Sequence, residues 1–177
     1  ESKAKELGGV VVEEPLHCTH VVVDKLKVTA KFLAALCLGD KHVVSTSWLE
    51  ASGRARGWVE EARHPPEKLK EFEKLNNFSL KDSMAQAARK KLLAGLKFVR
   101  LKNFEFNEED CRMVVTSAGG QLLSSSAPAA DVIVLASAQD LSGPGKTKWE
   151  KHEKQGKDFI KFGALRQKLD RKSYKLQ

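Results

Sequence analysis

The sequence predicts an α/β chain of two copies of one small unit, each a parallel four-stranded sheet flanked by helices, packed through a helical linker. Three observations lead there. The runs Val10-Val11-Val12, Thr19 to Asp24 and Asp131 to Ala136 are continuous and rich in β-branched residues, the pattern of parallel strands covered on both faces. Stretches with apolar residues at helical spacing lie between such runs. A helix leading into Gly-Gly and then a strand occurs twice, at Gly8-Gly9-Val10 and at Gly119-Gly120-Gln121. A chain of 177 residues has room for two domains of roughly 80–100 residues each.

In chain order, Glu1 to Leu7 reads as a helix stopped by Gly8-Gly9. Val10 to Val12 reads as a strand, Glu14-Pro15 as a turn, and Thr19 to Asp24 as a second strand. From Thr29 to Leu38, Phe32, Leu33, Leu36 and Cys37 fall at helical spacing. Thr29 can cap that helix and Gly39 can close it. His42 to Ser45 is a third strand, followed by a short helix, Ser47 to Ala51, that carries Trp48 as a core residue. Pro65-Pro66 and the charged stretch to Lys74 form a linker. Ser79, with Asp82 three residues on, begins a helix reaching about Leu93 and stopped by Gly95.

The order then restarts: strand Leu96 to Leu101, helix Glu108 to Ala118, strand Gln121 to Ser124, strand Asp131 to Ala136. The second copy has a strand before its helix and the first copy does not. The expectation is a first module over residues 1–62 whose first strand is absent from the chain, a linker with an inter-domain helix over 63–94, and a second module over 95–177.

The net charge of +8 is concentrated at one end. Lys146 to Gln177 carries 11 Lys or Arg against 4 Asp or Glu, leaving the rest nearly neutral. Such a segment suits weak DNA contact, an acidic peptide or a solvated helix face. No apolar run approaches the roughly 20 residues of a membrane span, and the N-terminal residues lack a signal-peptide core, which points to cytoplasm or nucleus. Three scattered cysteines make no disulfide framework. His17-Cys18-Thr19-His20 invites a metal, but the nearest further ligands, Cys37 and His42, fit no ligand spacing, so no metal site and no cofactor is assigned. Catalysis is not expected either. Dinucleotide and Walker loops, a nucleophile elbow and paired carboxylates are all missing, and the Gly-Gly pairs follow helices instead of preceding them.

Together, Gly8-Gly9, Cys18-Thr19-His20-Val21-Val22-Val23, Thr29-Ala30-Lys31-Phe32-Leu33 and Val43-Val44-Ser45 before Trp48-Leu49-Glu50 resemble a BRCT domain. Phe78-Ser79-Leu80 is similar to the linker of tandem BRCT proteins. Ala118-Gly119-Gly120, Val132 to Leu135, and Leu165 to Asp170 through Ser173-Tyr174-Lys175 resemble the second module of such a pair. The resemblance implies a nuclear adaptor of the DNA-damage response that binds a phosphoserine-containing protein, such as the phosphorylated tail of the histone variant H2AX (gamma-H2AX), on chromatin. It makes Lys31, aided by Thr29, the phosphate-binding group. It places Val28, Phe32, Lys161 and Phe162 along the peptide groove, with Val28 standing where related readers carry Arg.

Aligning Asp158 to Leu165 with the last helix of the family leaves only Gly156 and Lys157 for a fourth strand and puts Phe159 in the core. The chemistry of Lys31 agrees with the resemblance. A cation in the first turn opposes the helix dipole, whereas a phosphate there is favoured by dipole, free N–H groups and ammonium alike. Two other readings stay open: a basic DNA-binding pair, and a protein-interaction pair that ignores phosphate.

Overall fold

Two separate parallel sheets organise the chain, one in each half. The structure is a computed structural model, and it describes residues 1–124, 132–137 and the strand 159–161. In the first half, helix α1 (Ser2–Glu6) precedes strand β1 (His20–Val23), helix α2 (Ala30–Leu38), strand β2 (His42–Ser45) and helix α3 (Thr46–Ala55). Helices α4 (Leu69–Asn76) and α5 (Leu80–Arg89) join the halves. The second half holds β3 (Lys97–Arg100), α6 (Glu108–Ser117), β4 (Gln121–Leu123), β5 (Ile133–Ala136) and β6 (Phe159–Lys161). Short 3-10 turns occupy Pro15–His17 and Glu61–Arg63.

The second sheet runs in the order β4-β3-β5-β6, every pair parallel. The first contains only β1 and β2, paired from His20↔His42 to Val23↔Ser45. The repeat explains the difference. In the second sheet β4 hydrogen-bonds only to β3, so β4 exists as a strand because β3 lies beside it. The first half has no counterpart of β3 among its described residues.

Val10–Val12, expected as a strand from its β-branched run, is therefore not one: it belongs to no helix or strand, with Val10 85%, Val11 42% and Val12 39% exposed. β-branched residues favour a strand only where a partner completes the ladder. For the same reason β1 is half-buried and not covered on both faces.

Other expectations shift for local reasons. The linker contains helix α4, whose Phe72 packs edge-on against Phe32 and Phe78, with ring centroids 6.1 and 5.8 Å apart. Helix α3 runs on to Ala55, past the expected end at Ala51, with Trp48 and Ser52, one turn apart, anchoring its buried side. Trp48 Nε1 donates to Val59 O at 2.8 Å, and Ser52 Oγ accepts from Val59 N–H at 3.3 Å. Helix α5 stops at Arg89. Lys91 then turns back to donate to Cys37 O and Leu38 O, the last carbonyls of α2. The largest correction is at the far end. Phe159–Lys161, assigned to a helix, is β6, pairing with β5 from Val134↔Phe159 to Ala136↔Lys161.

Helix α2 behaves as its sequence predicts. Thr29 Oγ1 accepts from Phe32 N–H at 3.2 Å, and Gly39 ends the helix at φ +77°. Seven of its nine residues are buried, which a helix achieves only when packed on several sides. Ala30, Leu33 and Cys37 join Phe98, Cys111, Val114, Val115 and Leu135 of the second half in one core. Phe32 and Leu36 form another with Leu80.

Gly39 lies against the α5 backbone so closely that an added Cβ would fall 2.4 Å from Ala88 N and 2.7 Å from Met84 O. Gly39→Ala is expected to cost about 2–4 kcal/mol in urea unfolding through strain and overpacking. Gly53→Ala, in open space, is expected to gain about 0.5–1 kcal/mol. A mild Gly39→Ala would contradict the close helix contact. Thiol labelling gives a second check. Cys37 and Cys111 are each 1% exposed, and burial pushes the Cys111 thiol up to about 12 against the pull of Arg100 and Arg112. Native protein should titrate one thiol, the half-buried Cys18, with a thiolate-specific reagent, and all three only when unfolded.

Candidate functional site

The first turn of α2 offers an anion two kinds of donor. The first intrahelical bond there is Leu33 N–H to Thr29 O at 2.9 Å, so the N–H groups of Ala30 and Lys31 lie ahead of the ladder. Thr29 is exposed, and its oxygen accepts from Phe32 N–H, which leaves its hydroxyl proton free to donate outward. Lys31 is exposed on the same turn and already holds an acid: its ammonium donates to Glu13 Oε2 at 2.6 Å.

That bond, with Asp110 and Glu109 of α6 nearby, raises the Lys31 ammonium above the usual lysine range. The Glu13 carboxyl is lowered by the same hydrogen bond and charge. A carboxylate thus sits where the first-turn geometry favours an anion.

Lys31 and Glu13 lie on a cleft of about 840 Å³ that runs between Val10–Val12 and β1. In the second sheet the matching space is filled by β3, between β4 and β5. The cleft extends to His20, Trp48, Trp58 and Glu61. Four rings stack through this region. His42 to His20, His20 to Trp48 and Trp48 to Trp58 are 4.9, 4.5 and 4.9 Å between centroids, all within 20° of parallel.

The second half approaches Lys31 through Asp110 and Glu109 at the start of α6. Arg100 ties down the segment before that helix by donating to Phe106 O at 2.6 Å, Lys102 O at 3.1 Å and Phe104 O at 3.2 Å. This pins the loop that leads to Asn107, whose side chain caps α6 by accepting from Asp110 N–H at 2.8 Å. Three acids, Glu108, Glu109 and Asp110, occupy the first turn of α6, where the helix dipole favours them.

Of the residues assigned to the phosphate and the groove, the structure places Val28, Thr29 and Lys31 together at one helix start. Val28 is half-buried and packs on the core that the two halves share. Phe32 is a correction. It is 4% exposed and faces Leu36 and Leu80 inside the linker packing, so its ring is closed to a ligand. Lys161 lies on a strand and not on the expected helix, and Phe162 lies outside the described residues, as does most of the basic segment 146–177.

Sequence reasoning missed Glu13 and Arg100, whose roles depend on contacts that no spacing encodes. It also left His42 apart from His20, although they are register partners on adjacent strands.

Comparison with known proteins places this geometry. Residues 1–75 match the family model for the Regulator of Ty1 transposition protein 107 BRCT domain. PAX-interacting protein 1 of Bos taurus is 27% identical over 181 residues, covering 96% of this chain and 18% of that protein. Mediator of DNA damage checkpoint protein 1 of Homo sapiens is 28% identical over 123 residues, 67% of this chain and 6% of that one. The chain therefore spans less than a fifth of the length of these relatives.

Among solved structures, the BRCT5-BRCT6 domains of S. pombe Brc1 superpose with a TM-score of 0.73 at 16% identity, over 96% of this chain and 87% of theirs. A complex of Rtt107p with a phosphorylated histone gives 0.57 at 10% identity, over 94% and 77%. With a BRCT family model on its first 75 residues, a relative matching along 96% of its length and a paired BRCT fold superposing on the same share, this chain is similar to tandem BRCT proteins and shares their fold.

Proposed function

We propose that the pair is a phosphoserine-peptide reader, a nuclear adaptor of the DNA-damage response and not an enzyme, with modules over residues 1–62 and 95–177. The observation that carries this reading is Lys31: an exposed cation in a capped first turn, at the edge of a cleft, already bonded to a carboxylate. A phosphate dianion offers that ammonium more charge and more acceptor oxygens than Glu13 does. Because the Lys31–Glu13 pair is exposed, water competes with it and its exchange for a phosphate costs little.

In this reading Lys31 holds the phosphate, and Thr29 adds its hydroxyl. Val28 then forms the apolar floor over which the peptide passes toward the second module. Without Arg at this position, the peptide backbone or terminal carboxylate loses a bidentate partner, so the phosphate carries a larger share of the affinity. One relative, a mediator of the DNA damage checkpoint by name, supports the DNA-damage setting, and a structural neighbour, Rtt107p, solved with a phosphorylated histone, supports a phosphopeptide ligand. The phosphorylated H2AX tail is the first peptide to test.

Fluorescence anisotropy with one acidic serine peptide, phosphorylated and not, tests the reading. Phosphorylation is expected to tighten binding about tenfold or more through charge-assisted contacts. Lys31→Met should erase that preference. Glu13→Gln, by freeing the ammonium, should strengthen phosphopeptide binding about two- to fivefold. Equal affinity for both peptides sinks the reader. Binding of duplex DNA that falls steeply with salt and ignores phosphoserine would instead favour a basic nucleic-acid surface.

A further inference from the structure

We infer that His20, His42 and Glu61 form a binding site for one zinc ion at the open end of the first sheet. His20 and His42 begin β1 and β2, and parallel register places them side by side on one face. Glu61 opens a 3-10 turn and reaches back across 41 residues to bring Oε1 within 3.1 Å of His20 Nε2. One ligand atom from each of the three residues lies within 4.8 Å of the others. Around tetrahedral zinc, ligand atoms about 2.0–2.1 Å from the metal sit about 3.3 Å apart. The His20–Glu61 edge already has that length, and the exposed His42 ring has the freedom to close the remaining gap.

The surroundings suit a metal better than an isolated ion pair. Thr19 Oγ1 lies 2.8 Å from His20 Nδ1. With the hydroxyl oxygen accepting from Nδ1–H, the lone pair of Nε2 points at the site, the outer-shell arrangement that orients zinc-bound histidines. The stack of Trp48 on His20 fixes the ring plane. Two imidazoles and one carboxylate favour zinc or its transition-metal neighbours over magnesium or calcium, which take oxygen ligands. Three protein ligands leave a fourth position open to water, and the exposure of His42 provides the entry path.

The site is distinct from the Lys31 anion site. His20 starts β1, whereas Lys31 follows the far end of that strand, and the two functions rest on different residues. Sequence spacing hides the cluster, because Cys18, the apparent ligand next to His20, instead donates its thiol to Pro15 O at 3.3 Å.

Titration of the whole chain with cobalt chloride as a spectroscopic stand-in tests the site. The expected result is one ion per chain, a visible d–d absorption of tetrahedral intensity, quenching of Trp48 emission and full displacement by zinc chloride. His42→Ala and Glu61→Gln, both outside the buried core, should each weaken binding about tenfold or more. Lys31→Met should leave metal affinity unchanged whatever it does to peptide binding. Circular dichroism confirms that each variant is folded. Absence of the visible band with cobalt in excess, or an affinity unmoved by His42→Ala, overturns the site.

Discussion

The structure depends on the burial of helix α2 between both halves of the chain. In most small α/β units a helix covers its own sheet on one face and meets water on the other. Here Ala30, Leu33 and Cys37 sit in the hydrophobic core of the second sheet, while Phe32 and Leu36 are held by the linker. Each fully buried Leu or Phe contributes roughly 1.5–3 kcal/mol, so this one helix ties three segments into one packed body. Its ends are tied as well. Thr29 caps the start, Lys91 binds the last carbonyls, and Gly39 admits the α5 backbone.

That packing places the anion site. A nine-residue helix held on its flanks cannot shift its first turn, so the Ala30 and Lys31 N–H groups and the Lys31 ammonium keep their aim. The same packing brings the acidic first turn of α6 near Lys31, and it holds Val28 half-buried against the shared core beside that turn. The Lys31–Glu13 pair is then a small, exposed interaction whose value lies in where it is, not in stability. The first sheet has freedom that the second lacks. β1 and β2 have no third described strand beside them, and the cleft lined by His20, Glu61 and Lys31 lies next to β1.

Sequence periodicity was a good guide wherever structure is set within a few residues. Thr29 and Gly39 bracket α2 because capping and left-handed closure are local requirements, and Ser79 and Asn107 start their helices for the same reason. It failed where the outcome depends on a distant partner. Val10–Val12 has strong strand propensity and forms no strand for want of a neighbour, while Phe159–Lys161 forms one because β5 lies beside it. Helix α4 hid among charges, since only Leu69 and Phe72 mark its apolar face and Leu75 is 85% exposed. The first-turn position of Lys31 was legible from the Thr29 cap, and its proposed role came from the family resemblance. Glu13, Arg100 and the meeting of His20 with Glu61 were not legible, because each joins segments that only the folded chain brings together.

The central claim, that α2 fuses the two units into one cooperative body, is tested most directly by unfolding the chain in urea with two probes. In a Cys18→Ser, Trp149→Phe background, emission from Trp48 and Trp58 reports on the first unit. The reactivity of Cys37 and Cys111 reports on the shared core. A shared core predicts that both signals follow one transition with the same midpoint and slope. Loss of the tryptophan signal at lower urea, with both thiols still protected, would contradict it.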